Sequence, residues 1–170
     1  QVTVSPTPTV TVPAVRPTVA PTVQPTPTPE PTPEPTLAPT PTPTAAPTAF
    51  TWPVRGEVLS GFSLEVLAYD QTMGDWRVHS ALDIAADLGT QVRAMARGTV
   101  TEVYDDDLMG TTVVIVHGEG LTSIYSNLAA TPTVQAGDTV GMGDVIGSVG
   151  NTAIAESARS SHLHLEMTQD

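Results

Sequence analysis

Fifteen of the 17 prolines in this 170-residue chain fall in residues 1–50, together with fourteen threonines. The stretch is mostly Pro-Thr and Pro-x-Pro, shows no hydrophobic period and carries only Arg16, Glu30 and Glu34 as charges. A segment of this kind has too little apolar surface to repay the entropy of ordering. It is expected to be a disordered, extended polyproline-II spacer at roughly 3.1 Å per residue, with a reach on the order of 150 Å. Thr/Pro richness also suits O-glycosylation. One globular domain is therefore expected, over residues 51–170.

That domain holds five arginines and sixteen acidic residues, for a formal charge of −11. The charge argues against a nucleic-acid backbone or an anionic membrane surface as partner. The chain has no lysine and no cysteine, which excludes a disulfide framework and a thiolate metal site. It starts with Gln1 and has no apolar run long enough to span a bilayer. We read it as a processed product whose export signal or membrane anchor lies outside the sequence.

The globular part reads as antiparallel all-β. Residues 92–95, 98–104, 111–116 and 121–125 are short runs rich in Val, Ile and Thr, bounded by Gly or Asp clusters. Gly118-Glu119-Gly120 predicts a tight hairpin connection. Closely spaced glycines over 137–150 suit the sharp corners of a barrel-like sandwich. Only residues 151–160 leave room for a helical turn.

Two clusters carry the chemistry: His79-Ser80-Ala81-Leu82-Asp83 and His162-Leu163-His164-Leu165-Glu166. Strand alternation would place His162, His164 and Glu166 on one face. A His and an Asp four residues apart, joined by one His of a His-x-His pair, supply three N/O ligands. Three protein ligands with an open fourth position describe a catalytic zinc centre. Glu166 could orient one imidazole through its second nitrogen, or be a solvated strand residue. His117, ending a strand before a hairpin, is expected to be structural. Asp105-Asp106-Asp107 lacks the distal Glu of a calcium loop and predicts a solvated turn.

The order of these motifs resembles the lysostaphin/LytM-type zinc metallopeptidases, which cut peptide bonds in bacterial peptidoglycan. The motifs are His79-x-x-x-Asp83, the Gly and Val corners, the Val-x-Ile-x-His-Gly strand, Tyr125-x-x-Leu128, Gly-Asp-x-Val and His162-Leu-His164-x-Glu166. Within that family, residues 69–79 most resemble stage II sporulation protein Q. The resemblance implies a β-sheet core built on a duplicated hybrid motif, with Zn²⁺ held by His79, Asp83 and His164. It implies that His162 assists the reaction beside the metal. A second assisting His is expected in Tyr-x-His-Leu, where this chain has Asn127. Two usual glycines are Ala81 and Ala153.

Bound zinc polarises a scissile carbonyl and acidifies water. A positioned group must still take one proton and return another, and an imidazole can do this near neutral pH. A carboxamide cannot exchange a proton, and losing one such group typically costs about 10²–10⁴-fold. The chain is therefore expected to bind zinc and to hydrolyse peptidoglycan slowly or not at all. Its expected role is an extracytoplasmic docking module in the cell wall or in a sporulating bacterium, with peptidoglycan or a protein such as stage III sporulation protein AH as partner. The alternative is an active endopeptidase cutting cross-link or stem peptides. A lipoyl or biotinyl carrier, whose sandwich has similar corners, is excluded because it needs a lysine.

Overall fold

The computed structural model describes residues 45–169. The expectation of a disordered spacer over residues 1–50 falls almost wholly outside the described residues. Eleven strands and one short 3₁₀ turn are found among them. The strands are β1 (Val58–Ser60), β2 (Ser63–Asp70), β3 (Asp75–His79), β4 (Leu82–Ala85), β5 (Gln91–Arg93) and β6 (Gly98–Asp106), followed by β7 (Gly110–Gly118), β8 (Leu121–Leu128), β9 (Thr139–Val140), β10 (Val145–Ser148) and β11 (His162–Gln169). The turn, Ile154–Glu156, lies in the segment expected to hold one. No helix among the described residues is long and apolar enough to cross a membrane.

Seven strands form one antiparallel sheet in the order β1-β4-β11-β8-β7-β6-β9. Strands β5 and β10 pair separately, as do β2 and β3. The antiparallel all-β expectation therefore holds, and all four predicted strand runs fall on β5 to β8. Strand β7 is buried along nearly all its length, as its Thr-Thr-Val-Val-Ile-Val run implies for a strand covered on both faces. Strand β6 alternates, turning Val100 inward. A register shift between Val100 and Glu102 inserts one residue against β7 and restores the inward phase at Val103.

The β7–β8 hairpin turns through Gly118, Glu119 and Gly120 at φ 117°, 48° and 75°. Two glycines there meet the positive-φ demand without a Cβ penalty. The core gathers Val92 and Ile146 of the β5–β10 pair with Val100, Val113, Ile115, Tyr125, Leu128 and Leu163 of the large sheet. His117 is buried among polar partners. Its Nδ1–H donates to the Arg97 carbonyl at 2.8 Å, and its Nε2 lies 2.6 Å from Ser123 Oγ. Burial holds its pKa below the ordinary histidine value, in keeping with a neutral structural residue.

Candidate metal centre

Sheet register brings the two motifs together. In the β4–β11 pair, His164 stands directly opposite Asp83. Directly opposed residues share a face, with Cβ atoms about 4.5–5.5 Å apart. His79 ends β3, four residues before Asp83, and Ser80-Ala81 turns the chain from one strand into the next. Its imidazole meets that of His164 edge-on, with ring centroids 5.5 Å apart.

A fourth residue joins them. Glu156, at the end of the 3₁₀ turn, is buried and points its carboxylate into the cluster. Its Oε2 lies 3.1 Å from His164 Nδ1 and 2.9 Å from His162 Nε2, and its Oε1 lies 3.7 Å from His79 Nε2. Ligand atoms of His79, Asp83, Glu156 and His164 all fall within 4.8 Å of one another. Arg159 also enters the site. It pairs through Nη1 with Asp83 Oδ2, and its Nη2 lies 3.6 Å from Asp70 Oδ2. Neither Glu156 nor Arg159 was singled out by sequence reasoning, because an irregular turn carries no periodic signal. The available cue was a carboxylate six residues, and a guanidinium three residues, before His162.

The outer nitrogens fix how the imidazoles face. His79 Nδ1 lies 3.1 Å from the Gly61 carbonyl, and His162 Nδ1 lies 2.7 Å from the Ser160 carbonyl. A carbonyl only accepts, so both Nδ1 atoms carry hydrogen and both Nε2 atoms face the cluster. In His164 the roles reverse. Nε2–H donates to Glu166 Oε1 at 3.3 Å, and Nδ1 faces Asp83 Oδ1 at 3.0 Å. Anchoring the far nitrogen in this way is what orients a metal-binding imidazole, and Glu166 occupies the orienting position considered for it.

The residues fit a divalent metal. Among the described residues, His79 Nε2 is the single buried side-chain N or O atom without a hydrogen-bond partner. It lies 3.2 Å from Asp83 Oδ2. Two imidazole nitrogens and two carboxylates form a donor set suited to zinc. Without an ion the centre holds itself together by charge. The Asp83 carboxylate, with Glu156 next, pushes His79 up to about 10. Burial opposes the charge on His164, but Asp83 and Glu156 outweigh it and raise it to about 9. Burial likewise opposes ionisation of Glu156 and Asp83, and the surrounding histidines win, leaving both carboxyls below their ordinary values. His162 is raised too, with Glu156 prevailing over burial.

Asn127 takes no part in this ring. It sits at φ 60°, a left-handed conformation that Asn tolerates better than most residues. Its Nδ2 donates to the His162 carbonyl at 3.0 Å, and its Oδ1 accepts the Ala153 N–H at 3.1 Å. A cleft of about 270 Å³, bordered by Leu88, Asn127, Asn151 and Ser160, ends on Glu156 and His162.

The profile of peptidase family M23 matches residues 77–170, more than half of the chain and all of the ligand cluster. The chain belongs to peptidase family M23. It is similar to the DD-carboxypeptidase/endopeptidase Mpg of Neisseria meningitidis serogroup B, at 35% identity over 65% of this chain and 28% of Mpg. Thus it spans under a third of that relative. Among solved structures it is similar to a zinc-containing peptidase from Vibrio cholerae, with a TM-score of 0.61 and 26% identity over 72% of this chain and 37% of that one. It is also similar to the SpoIIQ–SpoIIIAH pore-forming complex, with a TM-score of 0.53 and 26% identity over 62% of this chain and 65% of that one. Stage II sporulation protein Q of Bacillus subtilis, 29% identical over 62% of this chain and 36% of that protein, bears out the expected resemblance.

Proposed function

We propose that this M23 domain binds one zinc through His79, Asp83 and His164 and hydrolyses peptidoglycan weakly or not at all, serving as an extracytoplasmic docking module. One observation carries the reading. His162 is the only imidazole left beside the ligand set, and its Nε2 is held by Glu156 at 2.9 Å. The carboxamide of Asn127 cannot exchange a proton, and both its ends are spent on backbone groups.

A protein partner is supported by the exposed apolar side chains of the β2–β3 hairpin, among them Leu64, Val66, Leu67 and Trp76. Several exposed apolar side chains gathered on one hairpin support an interaction site there. The likeness to the SpoIIQ–SpoIIIAH complex makes a protein such as stage III sporulation protein AH the proposed kind of partner. Residues 1–50 would then act as a spacer holding residues 51–170 away from a membrane anchor.

A second reading is an active endopeptidase cutting cross-link or stem peptides. The intact His79–Asp83–His164 set and the likeness to Mpg favour it. The test is incubation of the zinc-loaded chain with purified peptidoglycan, followed by mass spectrometry of released peptides, beside an Asn127→His variant. Absent or slow release by the wild type supports the docking module. Release at the rate of an ordinary family peptidase overturns it in favour of the enzyme.

A further inference from the structure

We infer that Glu156 is a fourth protein ligand that closes the metal centre, leaving no coordination position for a substrate carbonyl. The inference rests on the zinc-binding reading above and adds a residue to it. Glu156 is buried, and its carboxylate lies within reach of all three imidazoles of the site. Its ligand atom falls in the same 4.8 Å cluster as those of His79, Asp83 and His164. A zinc site with three protein ligands keeps one place for water or substrate, whereas four protein ligands make a closed, structural site.

The turn that delivers Glu156 is held on both sides. Asn127 Oδ1 accepts the N–H of Ala153, immediately before the turn. The Leu108 carbonyl accepts the N–H of Ala155. Arg159 donates its backbone N–H to the Glu156 carbonyl at 2.9 Å while its guanidinium pairs with Asp83. The residue standing where an assisting imidazole was expected therefore supports the element that blocks the metal. Glu156 also accepts from His162 Nε2, so one carboxylate closes the coordination sphere and occupies the remaining acid/base group.

The experiment uses the full chain loaded with zinc or cobalt(II). Zinc affinity is measured by chelator competition for wild type and Glu156→Gln. Loss of an outer partner costs about 10–100-fold in metal affinity, so loss of a ligand is expected to exceed ~100-fold. Azide is then titrated into the cobalt(II) proteins. The visible spectrum of wild type should stay unchanged, and that of Glu156→Ala should shift as azide takes the opened position. A wild-type spectrum that shifts on adding azide overturns the inference and leaves the zinc-binding reading intact, whatever the affinity of Glu156→Gln. The wild-type titration needs no variant and decides the matter even if the substitutions impair folding. A wild-type chain that takes up neither metal overturns both.

Discussion

Asn127 donates a hydrogen bond from Nδ2 to the backbone carbonyl of His162 at 3.0 Å, so the residue that replaces one expected catalytic imidazole braces the strand that carries the other. Its second bond, from the Ala153 N–H, ties the same side chain to the turn bearing Glu156. Truncating Asn127 strands two buried backbone groups and forces a non-glycine, non-Asn residue to φ 60°. Asn127→Ala is expected to cost about 2–4 kcal/mol of unfolding free energy, from the unsatisfied groups and the left-handed backbone together. Asn127→Gly relieves the backbone component and should cost less. Urea unfolding of the three proteins checks this, and equal midpoints for wild type and Asn127→Ala would remove the bracing role.

The metal-free domain should lose stability as pH rises above neutrality. His79 and His164 titrate at about 10 and about 9 in the folded protein against an ordinary 6.5. A raised folded pKa contributes stability that is complete below about 6.5 and lost as pH climbs through 9 to 10. Asp83 and Glu156 are lowered, so their share is present above the ordinary carboxylate range, about 4, and lost on acidification. The melting temperature in chelator should therefore peak between roughly pH 4.5 and 6.5 and fall toward pH 10. Zinc needs unprotonated imidazoles, so its stabilisation should grow over the same interval. Thermal melts with and without zinc from about pH 3 to 10 test both limbs. A chelated protein that gains stability between pH 7 and 9 contradicts the proposed charge pairing.

Strands β5 to β8 were legible because short Val/Ile/Thr-rich runs and Gly/Asp punctuation coincide over residues 91–128. The β2–β3 hairpin was not read, since Leu64, Val66, Leu67 and Trp76 are exposed and give no inward–outward alternation. That His79, Asp83 and one histidine of the His-x-His pair converge was legible because each sits on or beside a strand, where spacing translates into facing direction, while the choice of His164 over His162 came from the family resemblance. His79, Asp83 and His164 converge through the β4–β11 register, and His117 proved to be a buried structural residue. Glu156 and Arg159 were invisible for the opposite reason. They lie in an irregular turn whose course is set by tertiary hydrogen bonds from Asn127 and Leu108, and no local pattern encodes those.

Two histidine substitutions separate ligand from scaffold. His164→Ala removes Nδ1 from the cluster, and His117→Ala removes a polar partner of Arg97 and Ser123 on a different strand. Protein purified without chelator should contain one zinc per chain in the wild type and in His117→Ala, and much less in His164→Ala. His117→Ala should instead lower the unfolding free energy, by about 1–3 kcal/mol for the buried groups it leaves unpaired. Elemental analysis beside chemical denaturation gives the two readouts. A metal content near zero in the wild type that does not rise on adding zinc would sink the assignment.

Restoring hydrolysis should require two changes at once. Asn127→His supplies the missing imidazole, yet Glu156 still faces the metal position and still holds His162 Nε2. Glu156→Ala frees both, yet leaves His162 as the only group able to move protons. Either single variant should therefore release peptides from peptidoglycan no more than slightly above the wild type. The double variant should exceed the product of the two single effects, because groups that act as a unit are non-additive. The gain should stay below the full ~10²–10⁴-fold worth of an acid/base residue. Losing Asn127 also loosens the Ala153 turn, and Ala81 adds a methyl group between His79 and Asp83. Peptide release measured at saturating zinc for all four proteins is the check. A double variant no faster than either single one would mean that the deficit lies elsewhere, with Ala81 and Ala153 the next residues to restore to glycine.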